Sequence, residues 1–103
     1  MDSLVQLQKW YLSQCNDDWE HGYGVRIETL DNPGWSFDID LVGTSLEGKH
    51  FEITHYGMFE AAETSGDEWI ICKVEGGKFA ARGGPLKLDE MLTIFLRWAD
   101  AAA

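Results

Sequence analysis

Val25-Arg26-Ile27-Glu28-Thr29-Leu30-Asp31-Asn32-Pro33-Gly34-Trp35-Ser36-Phe37-Asp38-Ile39-Asp40-Leu41 is the stretch that decides the fold class. Its second half alternates strictly. Trp35, Phe37, Ile39 and Leu41 fall on one face of an extended chain, and Ser36, Asp38 and Asp40 on the other. Its first half alternates as well, through Val25, Ile27 and Thr29. Pro33-Gly34 suits the central positions of a type II turn, with proline fixing φ and glycine accepting a positive one. Parity then constrains the hairpin. A two-residue loop at Pro33-Gly34 pairs Glu28 with Ile39 and takes Val25 and Ile27 off the apolar face. Matching Val25, Ile27 and Thr29 to Phe37, Ile39 and Leu41 requires an odd connection or an extra residue, expected as a bulge near Leu30 or Asp31. That register sets Arg26 opposite Asp40 and Glu28 opposite Asp38.

Upstream, the period is helical. Ser3 and Gln6 have capping-box spacing. Leu4, Leu7, Tyr11 and Cys15 then recur on one stripe, widened by Val5 and Leu12, while Trp10 lies off it. The helix is expected to fray at Gln14 to Asn16. Downstream, Phe51 to His55 reads as a strand with Phe51 and Ile53 inward. Gly57 to Gly66 reads as a loop or a single helical turn at Phe59 to Glu63. Trp69 to Val74 reads as a strand, and Gly76-Gly77 as a hairpin turn leading into Lys78-Phe79-Ala80. Arg82-Gly83-Gly84-Pro85 breaks the pattern before a last helix, whose Leu88, Met91, Leu92, Phe95 and Ala99 share one face, with Leu96 and Trp98 at its borders. The sum is an α+β fold: a mostly antiparallel sheet of about five strands with an N-terminal and a C-terminal helix packed on it.

The chain has 103 residues, enough for one domain, spanning 1–103. Hydrophobic residues make up 45% and aromatics 13%, a globular composition. Eight Lys and Arg stand against 18 Asp and Glu, a formal net charge of −10. That balance opposes nucleic-acid and anionic-membrane partners, which need clustered cations, and favours basic partners. No apolar run is long enough to span a bilayer and the first residues carry no basic region, so a cytoplasmic location is expected. Cys15 and Cys72 are too few for a disulfide framework.

Chemistry-bearing clusters are sparse. Asn16-Asp17-Asp18-Trp19-Glu20-His21 is the densest. It fits a solvated turn anchored by Trp19, a partner-binding loop, or a cation site, although its spacing matches neither calcium-loop nor zinc patterns. Cys72 falls mid-strand, where thiols are usually inert. Cys15 falls at a helix C-terminus, whose dipole opposes a thiolate. Gly83-Gly84-Pro85 lacks the spacing of a phosphate loop. No catalytic residues, cofactor or metal ligands are therefore assigned.

Trp10 to Cys15, Asp18-Trp19-Glu20-His21, Tyr23-Gly24 and Ile27-Glu28-Thr29-Leu30-Asp31-Asn32-Pro33-Gly34-Trp35 closely resemble the immunity protein 53 family of bacterial polymorphic-toxin systems. The likeness continues through Leu41, Gly43-Thr44, Trp69, Cys72, Phe79 and Gly83-Gly84-Pro85 into the last helix. The chain departs from the family pattern at Ala81, where the pattern has glycine, and in a longer Gly57–Gly66 connection. The resemblance implies a non-enzymatic protein that binds and neutralises a cognate toxin. A basic nuclease-type toxin would suit an acidic inhibitor acting as a substrate mimic. The expected docking surface is Asp17, Asp18, Trp19 and Glu20, continued by Glu28, Asp38 and Asp40, with Trp19 serving the core at least as much as the interface. A small cysteine-dependent sulfurtransferase and a regulatory protein-binding domain are the other readings. Oligomeric state is left open.

Overall fold

A computed structural model of the chain describes residues 2–31, 33–57 and 68–102. In order these form α1 (Ser3–Gln14), a single turn α2 (Trp19–Gly22), β1 (Val25–Leu30), β2 (Gly34–Asp40), β3 (Thr54–Tyr56), β4 (Ile70–Glu75), β5 (Lys78–Gly83) and α3 (Leu88–Ala102). The strands make one antiparallel sheet in the order β1-β2-β5-β4-β3. The helices lie on one face of it, so the α+β reading holds. The proposed helical turn at Phe59 to Glu63 lies outside the described residues.

The hairpin follows the odd parity. Val25 pairs with Ile39, Ile27 with Phe37 and Thr29 with Trp35, which keeps both apolar rows on the core side. The odd residue sits in the connection, residues 31–33, and the ladder from Val25 to Leu30 is unbroken, so no bulge interrupts the strand. The polar pairs differ from expectation. Arg26 faces Asp38 instead of Asp40, and Glu28 faces Ser36 instead of Asp38. Gly34 is no turn centre either: it is the first residue of β2, paired with Leu30. Its lack of a side chain serves close approach, because a Cβ there would lie 2.4 Å from the Gly83 carbonyl oxygen.

Gly76 and Gly77, at φ 61° and 78°, make the two-residue turn between β4 and β5 that their sequence announces. β5 runs on through Arg82 and Gly83, beyond the break read there, because both residues pair with β2 and β4. β3 starts later than expected, at Thr54. Phe51 still packs inward against Phe79 and Trp98, at centroid distances of 5.3 and 5.2 Å, whereas Ile53 is 59% exposed.

The core is an aromatic chain. Phe95 of α3 meets Phe79 at 5.1 Å, Phe37 at 6.1 Å and Trp10 of α1 at 4.9 Å. Edge-to-face geometry dominates, as ring quadrupoles favour. Phe95, Met91, Leu92 and Ala99 are the buried face of α3, as read from periodicity. In α1 the buried stripe is rotated from the expected one. Leu7 is buried and Trp10 packs on the core, while Leu4, Val5, Tyr11 and Leu12 are exposed. Covering the large Trp10 ring with Phe95 outweighs covering Leu4 and Tyr11. The helix also starts earlier: Asp2 is the N-cap, its carboxylate accepting from Leu4 N at 3.0 Å, and Ser3 Oγ donates instead to Asp89 of α3.

Candidate functional site

Between α1 and β1 the chain must turn within a few residues. Asn16 and Glu20 do most of that work. The Asn16 side-chain oxygen accepts from the amides of Asp18 and Trp19, at 3.0 and 2.9 Å. The Glu20 carboxylate reaches back to the amides of Asn16 and Asp17, at 2.9 and 2.8 Å. Asp17 takes the left-handed conformation, φ 72°, which a short polar side chain tolerates. Four backbone amides are thus bonded by two side chains, and the acidic loop is preorganised. Hydrogen bonds from the backbone at Glu20 itself, then at Asn16 and Asp17, hold the Glu20 carboxyl below the usual range.

Trp19 pins this loop down. It is 4% exposed, and its indole N–H donates to the Val42 carbonyl at 2.9 Å. Trp10 meets it edge-on at 6.3 Å, connecting the loop to the core aromatics. Its part in any interface is therefore to hold the loop, since almost none of its ring is open to a partner. Tyr11 and Tyr23 flank Trp19, at 5.9 and 6.4 Å, and each is partly exposed, at 37% and 44%. Leu12 and Val42 are exposed near them in sequence or through Trp19. Sequence reading missed this aromatic rim. The signal for it was present in Tyr11 and Tyr23 at either side of the acidic run.

The seven expected residues fall into distinct states. Asp17 and Asp18 are exposed, and their carboxylates bond to no described residue. Glu28 is likewise exposed and unpartnered among the described residues. Asp38 is held by Arg82, with Nη1 at 2.7 Å and Nη2 at 3.4 Å. Asp40 accepts from Gly24 N at 3.0 Å and faces Lys78 at 3.9 Å. The bond from Gly24 to Asp40 ties the segment that follows the acidic loop to the end of the hairpin. Half of the eight basic residues, Arg26, Lys73, Lys78 and Arg82, lie on the outer face of the sheet beside Glu28, Asp38, Asp40 and Glu75. That face is near neutral, and the excess of negative charge lies elsewhere.

Cys72 is fully buried, and burial, with a smaller contribution from the Glu90 charge, pushes its thiol up to about 12. A thiol in that state is not a nucleophile at neutral pH. Cys15 Sγ lies 3.3 Å from the Tyr11 carbonyl oxygen, back along its own helix. A groove of about 710 Å³ runs between α1 and α3, lined by Gln6, Lys9, Trp10, Leu96 and Arg97 among others, with no cysteine or histidine in its walls. Among the described residues no group of three or more His, Cys, Asp or Glu is placed to hold a metal ion. No described helix is long and apolar enough to cross a membrane.

A small antiparallel sheet thus lies under the helices, with an exposed acidic turn after α1 and Cys72 buried in the core. The chain belongs to the immunity protein 53 family, whose sequence pattern it matches over residues 4–100. No curated protein and no solved structure matches it. Immunity proteins in general act as non-enzymatic inhibitors, and membership implies a toxin as partner.

Proposed function

We propose that this protein binds and neutralises its cognate toxin through the α1–β1 corner. Asp17 and Asp18 supply unneutralised charge, and Tyr11 and Tyr23 supply aromatic contact area. The observation that carries this reading is the preorganised loop: two exposed carboxylates held by a capped, tryptophan-pinned turn, in a member of an immunity family. Preorganisation lowers the ordering cost of binding, and tyrosine at an interface adds contact area for little side-chain entropy. The complementary partner is a basic surface, which suits a toxin that acts on nucleic acid. Glu28, on β1, contributes long-range charge only and is not part of the contact. Asp38 and Asp40 contribute less, because Arg82 and Lys78 already neutralise them.

Co-expression with the toxin encoded beside it is the direct test. The protein is expected to rescue growth and to co-elute with a catalytically inactive toxin on size exclusion. Rescue with no complex would point to action on something other than the toxin. Absence of both would remove the inhibitor reading.

A further inference from the structure

β1 is an open edge: it pairs with β2, and no described strand lies on its other side. The ladder tells which of its backbone groups are free. Asp40 N donates to the Gly24 carbonyl at 3.0 Å, and Leu41 N to the Gly77 carbonyl at 2.8 Å. Even-numbered residues of β2 therefore bond toward β1, and odd-numbered ones toward β5. Across the β1–β2 pair, even residues of β1 face even residues of β2. The amides and carbonyls of Val25, Ile27 and Thr29 consequently point out of the sheet. A row of unpaired backbone groups of this kind is a template for another strand.

We infer that the occupant of this edge is a second copy of the chain, with β1 adding to β1 antiparallel about a two-fold axis at Ile27. The strand is self-complementary about that point. Ile27 meets Ile27 of the second copy, Val25 meets Thr29, and Arg26 meets Glu28 on both sides of the axis. Odd residues meet odd residues, so the free amides and carbonyls of both copies coincide as hydrogen-bonded pairs. A slip of two residues one way sets Arg26 against Arg26, and the other way Glu28 against Glu28. An odd slip sets free backbone groups against occupied ones. Charge and parity together favour this register over every one within two residues of it, and longer slips pair fewer residues of the strand.

The two charges are also available. Asp38, opposite Arg26, is held by Arg82, and Glu28 faces Ser36. Neither Arg26 nor Glu28 makes an ion pair or hydrogen bond to a described residue. The near-neutral outer face around them keeps the net charge of −10 from concentrating at the contact. The interface is isologous, as closed dimers require. This inference does not depend on the toxin reading.

Sedimentation equilibrium at about 0.15 M salt, where the Debye length of about 8 Å damps long-range repulsion, tests it. The wild-type protein is expected to reach twice the 11.6 kDa chain mass. Arg26→Glu and Glu28→Arg, each folded by circular dichroism, are each expected to weaken the dimer at least about tenfold, because every reversal sets like charges together twice. Mixing the two single variants is expected to restore association to within about threefold of wild type, since their charges are then opposite at both contacts. A wild type that stays monomeric to about 1 mM overturns the inference. So do single variants that dimerise as tightly as wild type, and so does a mixture as weak as its components.

Discussion

Glu20 shows how one carboxylate can serve shape more than charge. Its oxygens are occupied by the amides of Asn16 and Asp17, and it is the ionised form that these bonds favour. The folded-state pKa is therefore lower than that of the unfolded chain, near ~4.3 for glutamate. A depressed pKa contributes stability that is present above the unfolded value and is lost as pH falls through the folded one. Glu20→Gln is expected to melt at a lower temperature than wild type at pH 7. The gap should narrow as pH falls from the unfolded-chain value through the lower folded one, where the wild-type carboxyl protonates as well. Thermal melts across that range check it, and a gap independent of pH would assign Glu20 a purely steric part.

At the scale of elements, the sheet is assembled by close approach as much as by side-chain burial. Trp35 pairs with Gly83, and Gly34 beside it sits against the same backbone. The Trp35 indole then donates to the Pro85 carbonyl at 3.0 Å, fixing the turn that leads into α3. The Trp98 indole does the equivalent for the long loop before β3, donating to the His50 carbonyl at 2.7 Å. With Trp19 on Val42, three of the five tryptophans bury all or part of a ring and pin a loop carbonyl at once. Gly34→Ala forces the β2 and β5 backbones apart and is expected to cost on the order of 2–3 kcal/mol, as overpacking does. Urea denaturation should show a lower midpoint with an unchanged slope. Wild-type stability in this variant would mean that the strands separate without strain.

Across the whole molecule, charge is distributed unevenly. The outer sheet face balances its acids with bases, whereas Asp17 and Asp18 have no cation beside them among the described residues. Electrostatic steering acts through such unbalanced charge and fades as salt screens beyond ~8–10 Å. Asp17→Lys with Asp18→Lys is expected to slow toxin association at low salt by about tenfold, and by much less at 0.5 M salt. Glu28→Lys with Asp38→Lys is expected to slow it less, because Asp38 presents a pair with Arg82 rather than a bare charge. Stopped-flow association rates for both folded variants decide the matter. Equal effects would place the docking surface on the hairpin as much as on the corner.

Local pattern was enough for the elements whose residues interact with near neighbours. The buried face of α3, the Gly76-Gly77 turn and the odd parity of the β1–β2 hairpin are all legible in the chain, because periods of 3.6 and 2 and glycine's positive φ are properties of short segments. The acidic run at residues 16–21 and its tryptophan anchor were legible for the same reason. What the tertiary structure decided is non-local. Which stripe of α1 is buried depends on where Phe95 of α3 stands, and Trp10 rather than Tyr11 finds it. Which carboxylates stay free depends on β5 lying beside β2, a neighbour more than half a sheet of sequence away. That placement brings Arg82 to Asp38 and Lys78 to Asp40, and leaves Asp17, Asp18 and Glu28 unpaired among the described residues. Strand order is set by burying one continuous apolar face, a property of all the strands together that no single segment carries.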